Sequence, residues 1–133
     1  MDLISKDALW QVRCPEEDVE LRHPDGSLLG RMRLRGLTGE QVNEWQDQVI
    51  EQRGNRRTQS KHTMALLIVR SAITEEGLPY FEPRDVLRVS QMPAYILTQL
   101  TPVAMRLSGL AEEDVKELVE DFGDDPSANG TSG

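Results

Sequence analysis

The stretch Arg31-Met32-Arg33-Leu34-Arg35-Gly36-Leu37-Thr38-Gly39-Glu40-Gln41-Val42-Asn43-Glu44-Trp45 changes its periodicity part-way along. Up to Arg35, Met32 and Leu34 alternate with Arg31, Arg33 and Arg35, the two-residue period of a half-buried strand. From Thr38 onward the apolar positions Val42, Trp45, Val49 and Ile50 fall at i, i+3, i+7 and i+8, the stripe of an amphipathic helix. Thr38 and Gln41 make a T-x-x-Q capping box at the helix start. A strand that hands over to a helix at Gly36-Leu37 predicts an α+β domain, mainly α.

Upstream, Val19 and Leu21 alternate with Glu20 and Arg22, and His23-Pro24-Asp25-Gly26-Ser27 reads as a turn. Asp-Gly tolerates the positive φ of tight turns, so residues 18–35 are expected to form a short antiparallel hairpin whose arginines line a wet face. An irregular basic loop is the plainer alternative. Ahead of it, Met1 to Pro15 carries a short helical signal, with Ser5 as N-cap and Ala8, Leu9 and Val12 on one side.

Downstream, Gly54 to Ser60 is polar, basic and without apolar residues, and is expected to be a loop. Met64, Leu67, Ile68 and Ala72 mark a second helix. Its middle, Met64 to Val69, is nearly all apolar and should be central in the core or covered by a partner chain. After the turn Glu75-Glu76-Gly77-Leu78-Pro79, Pro83 suits the first position of a short helix through Val89. A longer helix from Pro93 carries Ile96, Leu97, Leu100, Ala104 and Leu107, with a kink or break expected at Thr101 because Pro102 removes a hydrogen bond. A last helix from about Ala111 to Phe122 has the stripe Val115, Leu118, Val119 and Phe122. The expected fold is thus a hairpin packed on four to five helices over 1–122, with a disordered tail over 123–133.

The composition narrows the function. A chain of 133 residues suits one domain, and with 38% hydrophobic and 5% aromatic residues its core must come from Leu, Val, Ile and Met. There is no apolar run of membrane-spanning length, and Asp2, Lys6 and Asp7 interrupt any signal-peptide core, which predicts a cytoplasmic protein without membrane contact. The net charge is −8, and all of that excess lies beyond residue 70. Nucleic-acid binding is disfavoured, because the one basic cluster, Arg53, Arg56, Arg57 and Lys61 beside His62, is small and reads as structural or as a protein contact. Cys14 is the lone cysteine and only His23 and His62 accompany it, too few for a thiolate or histidine metal site.

No cofactor or metal is expected, and no catalytic set is recognisable. The carboxylates sit on helix faces, and Glu112, Glu113, Glu117, Glu120 and Asp121 lack the glycine-centred spacing of a calcium loop. Gly36-Leu37-Thr38-Gly39 is the nearest approach to a phosphate loop and is better explained as the strand-to-helix turn. What remains is the material of a binding module. The candidate partner-binding residues are the basic Arg56, Arg57 and Lys61 and the acidic rim Glu112, Glu113, Glu117 and Glu120 with Phe122. Trp10 and Trp45 are either interface anchors or core, and Trp45, on a helical stripe, reads first as core.

In order, the segments resemble the tail assembly chaperones of long-tailed bacteriophages and prophages of Gram-positive hosts. The resemblance runs from about Val19 to Phe122. It is carried by the β segment leading into Arg35-Gly36-Leu37-Thr38-Gly39-Glu40, a helix, and the apolar helix Ala65 to Ile73. Then come Glu75-Glu76-Gly77-Leu78-Pro79-Tyr80-Phe81 with Asp85-Val86, and Val103 to Leu107 with Ser108-Gly109-Leu110-Ala111-Glu112-Glu113-Asp114-Val115. The resemblance implies a non-enzymatic protein of the host cytoplasm. Such a protein coats the tape measure protein before the tail tube polymerises and is absent from the mature virion. It also implies a longer frameshifted form and the tail tube protein as a second partner; the apolar helix adds a homo-oligomer to the expectations. A tail-completion or connector subunit of the virion, and a small bacterial adaptor, are the alternatives. The arginine-dense hairpin and Pro102 depart from the family's pattern.

Overall fold

The computed structural model describes residues 1–51 and 56–110, apart from the side chains of 50–51 and 56–61. Its elements in chain order are α1 (Lys6–Trp10), β1 (Glu16–Arg22), β2 (Leu28–Arg35), α2 (Gly39–Glu51), α3 (Arg56–Ser71), β3 (Ala72–Ile73), a 3-10 turn at Pro83–Asp85, α4 (Val86–Ser90) and α5 (Ala94–Leu107). The fold is α+β, a three-stranded antiparallel sheet in the order β1-β2-β3 with five helices among the described residues.

The hairpin forms where the two-residue period predicts it. His23 O accepts from Gly26 N–H at 2.9 Å, Gly26 takes φ +90°, and His23 N–H donates to Ser27 O at 2.8 Å. The Asp25 carboxylate accepts from both the Ser27 amide and its hydroxyl. This local chemistry fixes the register, which opposes Glu17 with Leu34, Val19 with Met32 and Leu21 with Gly30 on one face. On that face Leu21 and Leu34 are buried, and α5 packs against both strands.

At the strand-to-helix handover, the capping box is made in both directions. Thr38 N–H donates to Gln41 Oε1 at 2.9 Å and Gln41 N–H donates to Thr38 Oγ1 at 3.1 Å. Trp45 then enters the core at 1% exposure, its indole N–H donating to Thr63 O at 3.0 Å. The apolar run of α3 is central: Ala65 to Val69 are all buried among α2, α4 and α5 of the same chain. Coverage by a partner chain is therefore not what makes that run tolerable, and the reason it gave for expecting a homo-oligomer falls away.

Three expectations need correction. The loop expected over Gly54 to Ser60 is helical from Arg56, because a helix anchored by its apolar C-terminal half extends through polar residues that break nothing. The break expected at Thr101 does not occur, and α5 runs unbroken from Ala94 to Leu107 with Pro102 exposed on its outer side. Seven residues of that helix are buried, and their burial outweighs the one lost bond. The third strand, β3, has no counterpart among the elements expected from sequence. It pairs Ile73 with Arg33 and Ala72 with Leu34, then turns through Thr74 to Gly77 so that Tyr80 N–H returns to Ala72 O at 3.0 Å. The helix expected over 111–122 and the tail over 123–133 lie outside the described residues.

Candidate functional site

Four surface features stand out. The first is the outer face of the hairpin, where the register sets an acid opposite an arginine three times over: Glu16 with Arg35, Asp18 with Arg33 and Glu20 with Arg31. Asp18 is the hub. Arg33 Nε lies 2.7 Å from its Oδ1, and Arg31 Nε lies 3.7 Å from its Oδ2. The hydrogen bond from Arg33 is the main reason that the Asp18 carboxyl sits below its ordinary value, burial opposing and the two arginine charges adding, and Arg33 is raised in return. Arg35 reaches on to Gly77 O, which ties this face to the turn after β3. Most of these charges are thus spent on one another, and the arginines are a self-paired ladder rather than a free basic patch.

The second is the edge of β1. Arg22 N–H donates to Gln99 Oε1 at 2.8 Å, and Gln99 Nε2 donates to Arg22 O at 3.0 Å, so a side-chain amide of α5 takes the place of a neighbouring strand there. Arg106 closes the other end of the same strand through Glu17 at 2.7 Å.

The third is the N-terminal arm. Ser5 Oγ accepts from Ala8 N–H at 3.1 Å and caps α1, in agreement with the sequence signal. Yet the arm buries none of its apolar side chains: Leu9, Val12 and Trp10, the last 71% exposed, all face solvent. Trp45 and Trp10 therefore divide into one core residue and one exposed residue.

The fourth is a groove of about 600 Å³ along α5. Thr98, Thr101, Pro102, Met105 and Arg106 recur there at i, i+3, i+4, i+7 and i+8, α3 adds Met64, and Leu110 stands where the chain leaves α5. Two smaller hollows, of about 220 and 260 Å³, lie beside the charge ladder and between α2, α3 and Phe81.

The residues singled out from the sequence do not gather into one site. Arg56, Arg57 and Lys61 lie in the first turns of α3, and their side chains, like Arg53, lie outside the described residues. Glu112, Glu113, Glu117, Glu120 and Phe122 also lie outside them. Sequence reasoning misses the groove because Pro102 signals a helix break, although Met64, Met105 and Leu110 mark apolar surface once α5 is continued through it. Among the described residues no three of His, Cys, Asp and Glu gather as metal ligands would, and no helix is long and apolar enough to cross a membrane. The groove and the arm present apolar side chains at the surface. No family model matches the chain, and no curated protein or solved structure matches it significantly.

Proposed function

We propose that this chain is a tail assembly chaperone of a long-tailed bacteriophage, a non-enzymatic protein of the host cytoplasm. In this reading it binds the tape measure protein, keeps it soluble until tail-tube subunits enclose it, and is left out of the finished particle. The observation that carries the reading is the ordered succession of segments: the Arg35 to Glu40 handover, the apolar helix Ala65 to Ile73, the Glu75 to Phe81 turn and the Val103 to Val115 run. Surface chemistry supports it. A long helical partner exposes repeated apolar stripes that would otherwise aggregate, and a protein that coats it needs accessible apolar anchors together with charged rims. Leu9, Trp10 and Val12 are such anchors, and the sequence carries a basic set, Arg56, Arg57 and Lys61, and an acidic set over 112–121 for the charged contacts.

Co-expression with the tape measure protein of the same tail gene cluster is the test. The soluble share of the long product should rise several-fold, and the two should co-purify. Replacing Trp10 by Ala should weaken capture while leaving the thermal unfolding of this chain unchanged. If the long product is equally soluble alone and never co-purifies, the chaperone reading fails. Recovery of the chain from purified particles would then replace it with a virion subunit.

A further inference from the structure

The N-terminal arm and the groove along α5 are two apolar surfaces left uncovered among the described residues, and they lie next to each other. Pro15 O, where the arm joins the sheet, accepts from Gly36 N–H at 2.9 Å. Gly36 in turn lies against the backbone of Leu107. Two residues past Pro15, Glu17 meets Arg106, a residue that lines the groove, at 2.7 Å. The arm thus starts beside the groove. It does not enter it, since α1 buries no residue and Leu3, Ile4, Leu9, Trp10 and Val12 all stay exposed. A helix of five residues, capped by Ser5, is also far below the roughly 12–15 residues at which an isolated helix becomes even marginal in water. It needs a surface to rest on.

Charge and area say which surface. Arg106, the one charged residue lining the groove, is already held by Glu17, so the groove suits an occupant without net charge. The arm is such an occupant: over residues 1–14, Asp2 and Asp7 balance Lys6 and Arg13, whereas the whole chain carries −8. Two acidic chains repel, and they meet most easily through the segment that adds no charge. Leu9, Trp10 and Val12 offer roughly 300 Å² of apolar surface per arm. Together with the groove walls they would cover, two arms bury about 1,200 Å², above the ~1,000 Å² that a specific interface needs.

We infer that the chain forms a twofold dimer in which each arm, through Leu9, Trp10 and Val12, docks in the α5 groove of the other copy. An arm rooted beside its own groove lets two grooves lie side by side and exchange arms reciprocally, which closes the assembly. Self-association then rests on the arm and not on the apolar run of α3, which its own chain covers. The inference concerns the chain alone and does not rest on the chaperone reading. A long partner that captures Trp10 competes with the second copy for the same arm.

Sedimentation equilibrium of the full-length protein tests it, over a dilution series from about 100 to about 1 µM, the span in which a weak dimer dissociates. At the upper end the unaltered chain should weigh about twice its 15.0 kDa. Trp10→Asp, on the arm, and Pro102→Glu, at an exposed position of the groove, should each reduce the mass to that of one chain. Both should keep a cooperative thermal transition, which shows that the domain remains folded. Thr98→Arg, also exposed on the groove, takes the place of Pro102→Glu if that variant unfolds. Mixed in equal amounts, the arm variant supplies an intact groove and the groove variant an intact arm. One of the two contacts then returns, and the mass at about 100 µM should rise again toward the dimer. Three results would overturn the inference. A monomer at about 100 µM in the unaltered chain would leave the groove to another segment of the same chain or to a different partner. A dimer that survives Trp10→Asp would put the contact elsewhere, and a mixture that stays monomeric would mean that arm and groove do not meet.

Discussion

Asp18 shows how one residue converts a register into pH dependence. Its carboxyl is held below the ordinary value of 3.8, first by the hydrogen bond from Arg33 and then by the charges of Arg33 and Arg31, with burial opposing. A carboxyl whose folded value is depressed adds stability that is whole above the unfolded value and is lost as pH falls through the folded one. Asp18→Asn should therefore lower the urea midpoint at pH 7, and the difference from the unaltered protein should shrink toward zero by about pH 2. Urea unfolding at pH 7, 4 and 2 checks this, and a difference that persists at pH 2 would show that packing rather than charge is lost. The alternation of arginines with Met32 and Leu34 was legible in the sequence because it is local. That Arg33 faces Asp18 was not, since the pairing depends on the register set by the turn at His23 to Ser27.

Between elements, the decisive contact is where the end of β2 meets the end of α5. A Cβ on Gly36 would overlap the Leu107 carbonyl oxygen and stand 2.6 Å from the Leu107 carbonyl carbon, both of them backbone. Beside it, Leu37 N–H donates to Ser108 Oγ at 3.0 Å and Gly36 N–H donates to Pro15 O at 2.9 Å. Gly36→Ala should cost about 3 kcal/mol, because neither backbone can give way without losing these bonds. The expected fall in Tm is roughly 10 °C for a domain of this size. Gly39→Ala is the matched control: nothing lies within 4 Å of a Cβ there, and Tm should be nearly unchanged. Calorimetry of both variants separates close approach from the general effect of adding a methyl group. Elements with a local signature, the capped α2 and the Asp-Gly hairpin, were readable from the chain. Two-residue β3 was not, for so short a strand has no period and exists only because Arg33 and Leu34 lie beside it. The unbroken α5 was hidden for the opposite reason: a strong local signal, Pro102, is outweighed by packing that only the tertiary structure supplies.

For the whole molecule, the apolar run of α3 is the centre around which the other elements close, and Leu66, 4% exposed, belongs to it. Leu66→Glu should unfold the chain rather than dissociate copies of it, since burying an unpaired carboxylate costs more than a small domain's margin of stability. Circular dichroism with loss of the cooperative transition is the expected outcome; a folded variant of unchanged Tm would place Leu66 on a surface. The same closure separates distant parts of the chain in time. Arg22 and the Gln99 that seals its edge are 77 residues apart. A hairpin forms within about 1–10 µs of its strands being free, but at roughly 5–20 residues per second a ribosome needs about 4–15 s to travel from one of these residues to the other. Until Gln99 has been made, the edge of β1 is unsealed and Leu21 and Leu34 lack the cover of α5. Holding by the cell's general chaperones, or slow codons placed before rather than after Ala94, would decide how much of this protein escapes aggregation while it is being made.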